Sequence, residues 1–478
     1  MLFNSLDFII FFPIVIAGYF ALNPKYRWIL LLLASYYFYM CWNYKYIVLI
    51  LFSTVIDYFS ALLMVRTNRL KVRKTLLVLS LVSNLGLLFF FKYLNFFSES
   101  INVVFDQFNV MKDVRYFDLL LPVGISFYTF QTLSYTIDVF RGQKEPETHF
   151  GKFALYVSFF PQLVAGPIER STRLLPQLKK HFLFNYDRVR DGILLIVWGY
   201  FKKVVIADRV AEYVNIVYNN PTEHTGYTTL IATFFFSFQI YCDFSGYSDI
   251  AIGSAKIMGY DLMTNFRRPY FAQNIREFWR RWHISLSTWF RDYFYISIGG
   301  NRVSKFRHKL NIFLTFVVSG LWHGANWTFV IWGALHGIHQ IIEIWKKNLI
   351  KQYTWLQQIK IPKTLAQLSN ILITFILVYI SWIFFRANNV NDAFFIIQNL
   401  FNTDPQPVNL FFFKADMTIS LITIAILLIV EIWEEVSGLY DRITRFPKSI
   451  KWVILIVILL SIVVLGKWDE VDFLYFQF

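Results

Sequence analysis

Apolar runs of membrane-spanning length recur along the whole of this 478-residue chain. Hydrocarbon offers a backbone no partner, so each run must close its own hydrogen bonds as a helix. The spans read from hydropathy are Phe8–Leu22, Trp28–Trp42, Tyr46–Met64, Leu76–Phe97, Phe117–Tyr135 and Ile193–Val217, the last interrupted by Lys202-Lys203. They continue with Thr228–Tyr241, Leu310–Trp322, Trp327–Trp345, Ile371–Phe385, Ile419–Trp433 and Trp452–Leu465. Several fall short of the ~20 residues an upright crossing needs, so their ends are approximate. Phe153–Ile168 is also apolar, but Pro161, Gly166 and Pro167 break it. It reads as a re-entrant segment, tolerable where protein or water satisfies its backbone. The expected fold is an all-α polytopic membrane bundle of about 11–13 segments, re-entrant ones included.

Residues are 56% hydrophobic and only 16% charged, with no polar stretch long enough for a soluble domain. The whole chain, 1–478, therefore reads as one membrane domain, without an internal repeat, low-complexity tract or flexible linker. Met1–Asp7 carries no positive charge and no small-residue cleavage site follows Phe8–Leu22, so the first run is expected to be a retained helix rather than a signal peptide.

The net charge of +15 would suggest nucleic acid in a soluble protein. Here the basic residues gather between apolar runs, which is the positive-inside pattern, and no nucleic-acid partner is expected. Val65–Lys74, Glu169–Asp191, Lys256–Lys309 and Lys346–Lys363 are the basic loops. They share one side if the N-terminus is outside and Phe153–Ile168 does not cross. The opposite loops, Ser98–Tyr116, Asn219–Gly226 and Ala387–Met417, carry few basic residues. The basic face is then cytoplasmic, suited to anionic lipid headgroups or a phosphate-bearing ligand. Cys41 and Cys242 are the only cysteines, and their spacing suggests neither a zinc site nor a redox pair.

His323 stands out against this background. It lies in Gly320-Leu321-Trp322-His323-Gly324-Ala325-Asn326-Trp327, between the apolar runs Leu310–Val318 and Trp327–Leu335. An ionisable side chain at membrane depth is costly and usually faces the bundle interior or an aqueous cavity. Histidine also moves a proton readily near neutral pH. His323 is therefore a catalytic or proton-relay candidate; the competing reading is a helix-end histidine bonded to a carbonyl.

Four further patterns carry possible chemistry. In Arg276–Arg291, Trp279, Trp282, Trp289 and Phe290 suit an interfacial amphipathic helix with its arginines among headgroups. That reading explains His283 poorly. The alternative is a mouth lined by Arg280 and Arg281 for a phosphorylated donor, with His283 near its reactive end. Tyr241–Asp249 contains small and polar residues, either a structural turn or a close helix approach in which Asp243 and Asp249 orient a histidine or balance arginines. Pro122–Gln131 and Phe159–Ile168 place Gly, Pro and Gln, including Gln162, inside apolar sequence, where unwound backbone lines a cavity or a helix kinks. His336 and His339 share a helix face but lack an acidic third ligand at helix spacing, so they read as polar residues facing the bundle, and no metal site is expected. His149, His181, His224 and His308 are placed in loops without a role.

Taken together, Pro122–Gln131, Gln162–Arg170, Asp243–Asp249, Arg280–Leu286 and Leu321–Ala325, in this order, resemble the membrane-bound O-acyltransferase family. The resemblance runs from about 122 to 339 as a motif-bearing core, more loosely over the whole chain. It is nearest to the bacterial branch around the alginate O-acetylation membrane subunit, whose C-terminus Phe473–Phe478 is similar to. The resemblance implies a helical bundle around a central funnel or tunnel in the bacterial inner membrane. It implies catalysis by His323, at the family's Trp-His-Gly motif, and a second polar position at His283. It further implies an acyl thioester donor such as acetyl-CoA from the cytoplasm, no bound cofactor, and an acceptor outside. That acceptor is a polysaccharide, or an SGNH-hydrolase-like partner protein that completes transfer to one.

The residues fit this chemistry. A base near an acceptor hydroxyl would activate attack on the thioester carbonyl, and N–H donors from Trp322, Trp327 or Asn326 would hold the oxyanion. Arg280, Arg281, Trp282, Asp243 and Gln162 complete the candidate site. Transfer of D-alanine to teichoic acid and O-acetylation of peptidoglycan remain open, as do a polysaccharide-associated transporter, which would explain the broken segments, and a non-catalytic scaffold.

Overall fold

The computed structural model describes residues 1–109, 114–117, 120–164, 166–224, 226–353, 362–402, 414–468 and 473–474. Outside these fall 110–113 of the expected loop Ser98–Tyr116, 118–119 of the expected fifth span, Ala165 of the re-entrant segment, Thr225 of the expected loop Asn219–Gly226, parts of the expected loops Lys346–Lys363 and Ala387–Met417, and 475–478 of the C-terminal motif. The described residues form helices and the turns and loops that join them, without a strand.

In chain order the first helices are α1 (Leu6–Ala21), α2 (Arg27–Asn43), α3 (Ile47–Val65), α4 (Leu70–Leu88), α5 (Leu94–Gln107) and α6 (Ile125–Phe140). Short α7 (Phe150–Ser158), α8 (Phe160–Leu163) and α9 (Ser171–Leu178) precede the longer α10 (Tyr186–Tyr200), α11 (Asp208–Asn219) and α12 (Tyr227–Met258). Then come α13 (Ile275–Arg281), α14 (Ile284–Trp289), α15 (Lys305–His323), α16 (Trp327–Gln352) and α17 (Lys363–Arg386). The chain ends in α18 (Val390–Asn399), α19 (Lys414–Ser437), α20 (Leu439–Arg445) and α21 (Lys448–Leu465).

Among the described residues, the stretches Pro24–Val65, Leu70–Gln107, Lys363–Arg386, Lys414–Ser437 and Lys448–Leu465 are long and apolar enough to cross a membrane, and α1 is a shorter apolar helix. The other expected spans are helical but carry buried polar side chains. Several boundaries differ from the sequence reading: the span read as ending at Phe97 runs on as helix to Gln107, into the expected loop Ser98–Tyr116. The Phe117–Tyr135 span becomes a helix only at Ile125, because Gly124 is left-handed (φ +76°). The Thr228–Tyr241 span does not stop at Tyr241 but runs on to Met258.

The chain forms two compact units. In the first, residues 1–196 and 250–263, α3, α4 and α6 pack together. At their centre the buried Asp57 carboxylate accepts hydrogen bonds from Ser80 Oγ (2.5 Å), Asn84 Nδ2 (3.0 Å) and Thr136 Oγ1 (3.2 Å). The broken segment follows the rule that irregular backbone at such depth needs partners. Gln131 Nε2 and Gln162 Nε2 donate to the Tyr156 carbonyl at 2.5 and 2.8 Å, and Phe160 N–H donates to Ser35 Oγ at 3.0 Å.

In the second unit, residues 197–249 and 264–478, α15 and α16 form the most extensively packed helix pair. They are joined by Gly324-Ala325-Asn326 and approach each other through glycine. A Cβ at Gly320 would collide with the Phe329 carbonyl oxygen, and one at Gly333 with the Phe316 carbonyl oxygen. Small residues of this kind let backbones close where no hydrophobic force drives helices together. Gly320→Leu should therefore wedge the hairpin open and cost about 1–3 kcal/mol or more. Thermal unfolding in detergent should show a clear loss of stability relative to Ser319→Ala, a control in the same turn.

Candidate active site

Both candidate histidines lie in the second unit. His323 is the last residue of α15 and only 2% exposed. The helix stops there because Gly324 turns to extended backbone and Asn326 starts the next one, its Oδ1 accepting from Thr328 N–H at 3.0 Å. The imidazole is enclosed by aromatic rings: Trp322 and Trp332 both at 5.0 Å and Phe385 at 5.4 Å, all nearly edge-on.

His283 sits at the break between α13 and α14, fully buried. Its backbone is left-handed, with φ +41°, a region that histidine enters more readily than most side chains. Asn265 holds it there. The Asn265 carbonyl accepts from Ile284 N–H at 2.9 Å, and its Oδ1 accepts from Ser285 Oγ at 2.6 Å. Asn265 Nδ2 in turn donates to Ser248 Oγ at 3.1 Å. The His283 ring stands edge-on to Phe244 at 4.5 Å and lies 6.2 Å from Trp322. Burial pushes its imidazole down to about 3, so it is neutral throughout the physiological range.

Trp322 thus neighbours both histidines, 6.2 Å from the His283 ring and 5.0 Å from that of His323. Nothing local in sequence joins His283 to His323; α13–α15 bring them to the same indole.

The remaining candidates distribute differently from the sequence reading. The interfacial-helix reading of Arg276–Arg291 is overturned: Trp279, Trp282, Trp289 and Phe290 are 8%, 0%, 7% and 4% exposed. Trp282 packs on Phe266, Phe278 and Trp382. Arg280 is exposed. Arg281 is engaged by Glu277 (2.7 Å) and Glu435 (2.9 Å), beside the Arg268–Glu435 pair, so it does not stand open as a mouth for phosphate. Asn326 Nδ2 donates to the Asn388 carbonyl at 2.9 Å, which commits that side chain to the helix junction. Trp327 is 54% exposed. Gln162 belongs to the first unit, as described. His336 accepts from Trp279 Nε1 at 3.3 Å, with the His339 ring 6.1 Å away.

The Asp243–Asp249 segment is a stretch of α12, not a turn, and its carboxylates face lysines rather than histidines or arginines. Lys203 Nζ bridges Asp208 and Asp243, each at 2.7 Å. Lys202 Nζ pairs with Asp249 at 2.6 Å and donates to Ser245 Oγ at 2.9 Å. Asp243 also accepts from Leu474 N–H at 2.8 Å, and the Phe473 ring rests on Tyr247 at 4.4 Å and Phe244 at 5.7 Å. The beginning of the C-terminal motif is thereby docked on the ring that touches His283. Sequence reasoning treated Lys202-Lys203 as an interruption of an apolar span; adjacent lysines inside such a span, with aspartates in the next helix, were the available signal.

A family model, that of the membrane-bound O-acyltransferase family, matches residues 144–387, which include both histidines and Trp322. The chain belongs to the membrane-bound O-acyltransferase family. It is 41% identical over 406 residues to a probable alginate O-acetylase of Pseudomonas aeruginosa, covering 84% of this chain and 75% of that one. It is 37% identical over 432 residues to a peptidoglycan O-acetyltransferase of Helicobacter pylori, covering 84% and 80%. It is 30% identical over 220 residues to a teichoic acid D-alanyltransferase of Bacillus subtilis, covering 43% of this chain and 55% of that one. As a member of this family the protein is a multi-pass membrane O-acyltransferase.

The lysine cluster of this acyltransferase makes a direct prediction. Lys203→Met leaves Asp208 and Asp243 buried without their cation, a change that typically costs about 3–5 kcal/mol. Thermal unfolding in detergent should show severe destabilisation, with partial recovery when Asp208→Asn and Asp243→Asn are added.

Proposed function

We propose that the protein transfers an acyl group, acetyl in the first instance, from a cytoplasmic thioester to a hydroxyl on the far side of the membrane. The observation that carries this reading is that two buried histidines far apart in sequence meet the same indole, Trp322, at 6.2 Å from His283 and 5.0 Å from His323. His323, at the end of α15 away from its basic start at Lys305, takes the proton from the acceptor hydroxyl. The freed oxygen attacks the thioester carbonyl, the C–S bond breaks, and the thiolate leaves and takes up the proton. His283 is neutral and faces the same indole; it donates or accepts a hydrogen bond at the donor side. Enclosure in aromatic rings excludes water, which strengthens any electrostatic help to the oxyanion.

The donor is acetyl-CoA or another acyl thioester, and the residues described require no resident metal or cofactor in this scheme. The protein sits in a bacterial cytoplasmic membrane with its N-terminus outside and its basic loops inside. The relatives aligned over 84% of the chain act, by their names, on alginate and on peptidoglycan, which supports O-acetylation of a cell-surface or secreted polysaccharide, through an SGNH-hydrolase-like partner or directly. D-alanyl transfer has weaker support, since that alignment covers 43% of the chain.

The test is acyl transfer by purified protein in liposomes with a labelled acetyl thioester. His323→Ala should lower the rate by about 10²–10⁴-fold, the usual range for a general base. His283→Asn, which keeps a residue at ease in left-handed backbone, should fold normally and also lose activity. Full turnover in His323→Ala would remove the base assignment.

A further inference from the structure

A cavity of about 280 Å³ lies in the first unit, at the link between α1 and α2. Its charged and titratable lining is Lys25, Arg27, His149, Lys152, Lys180 and His181, with no aspartate or glutamate. These residues come from the α1–α2 link, the start of α7 and the basic loop Glu169–Asp191. In the topology proposed above, all three segments lie on the side of the basic loops. The cavity therefore faces that leaflet.

Arg27 is the buried cation of this lining, 7% exposed. Its Nε donates to the Leu22 carbonyl at 3.1 Å and its Nη1 to the Phe182 carbonyl at 2.6 Å. The guanidinium lies 4.7 Å from the Tyr19 ring and 5.7 Å from the Phe20 ring. All of these partners are neutral, and Nη2 makes no hydrogen bond to a described residue. A buried charge is ordinarily paired with an opposite one. Carboxylates of the same unit are taken by other cations: Glu147 by Lys179 (2.7 Å), Asp261 by Arg173 (2.6 Å), and Asp187 and Asp191 by Arg190 (2.6 and 2.8 Å). Lys25, Lys152 and Lys180 form no ion pair among the described residues either. Four cations thus converge on one cavity without an acid from the protein.

We propose that this cavity seats the phosphate of an anionic phospholipid headgroup. Lysine and arginine N–H groups are strong partners for phosphate oxygens. The setting points to a lipid rather than a soluble phosphate. The cavity lies where two apolar helices end, α1 and the membrane-length stretch that begins at Pro24. Along their length both helices expose apolar side chains that suit acyl chains, among them Ile14 on α1 and Leu33 on α2. Tyr19, Trp28 and Tyr260 in its wall are residue types that favour the membrane–water boundary. Its volume holds a headgroup and falls below the roughly 300–1,000 Å³ of drug-sized ligands. This site goes beyond the acyltransferase reading, and its occupation does not depend on turnover.

The test is thermal unfolding of the full-length protein in neutral detergent, titrated with phosphatidylglycerol, phosphatidylcholine, inorganic phosphate or coenzyme A. A ligand held only by the folded state raises the midpoint according to its affinity. Phosphatidylglycerol should raise it, and the other three should shift it little. Lys25→Gln combined with Lys152→Gln and Lys180→Gln should demand about ten- to a hundredfold more phosphatidylglycerol for the same shift, as loss of several cations near a lipid surface does. None of these three side chains hydrogen-bonds or ion-pairs with a described residue, so the variant should unfold like the wild type when no lipid is added. Lys346→Gln combined with Lys347→Gln and Lys351→Gln removes the same charge from another exposed basic stretch and should leave the lipid response unchanged. No shift with phosphatidylglycerol, an equal shift with phosphatidylcholine, a larger one with phosphate or coenzyme A, or equal losses in the two triple variants would overturn the proposal. Because the readout is unfolding, these outcomes are independent of whether His323 acts as the base.

Discussion

In a bilayer a polar group has only its own protein to bond with, and this constraint shapes the whole molecule. An unmet hydrogen-bonding group there costs several kcal/mol. Several buried charges are accordingly engaged: Asp57 by Ser80, Asn84 and Thr136, Lys203 by two aspartates, and Lys202 by Asp249. Such clusters are weak evidence of net stability, because desolvation offsets their attraction. What they do supply is geometry. Lys203 fixes α12 to the start of α11, and with it the position of Phe244 against His283.

The same logic reaches the candidate active site from the other side. Gly320 and Gly333 let α15 and α16 touch backbone to backbone, and the junction then places His323 among Trp322, Trp332 and Phe385. His283 is held by a different device, the Asn265 clamp on left-handed backbone. Two independent supports converge on one indole. An enclosure of packed aromatic rings, whose dipoles need little rearrangement as charge develops, suits the anionic intermediate of the proposed transfer.

Much of this was legible in the sequence. The runs Leu310–Trp322 and Trp327–Trp345 fall inside α15 and α16 because continuous apolar stretches leave few alternatives, and the glycine, histidine and asparagine between them mark the junction. His323 stood out because its environment made it expensive. Other features had no such signature. Ser245, Gly246 and Ser248 look like turn residues, but within α12 they permit close packing; a Cβ at Gly246 would come within 2.7 Å of the Gly199 carbonyl oxygen. Periodicity could not tell an interfacial tryptophan face from one buried in protein, so Trp279, Trp282 and Trp289 were misplaced. Phe385 lies more than sixty residues beyond His323 in the chain, and no local pattern links the two.

The central claim is that acyl transfer passes from one membrane face to the other by way of the His283–Trp322–His323 arrangement. The most direct measurement encloses a labelled acetyl thioester within proteoliposomes whose protein orientation has been established, with the acceptor only outside. The account predicts label on the external acceptor from vesicles whose basic loops face inward, and none from vesicles of opposite orientation. Label reaching the external acceptor equally from both orientations, or only from vesicles whose basic loops face outward, would contradict it.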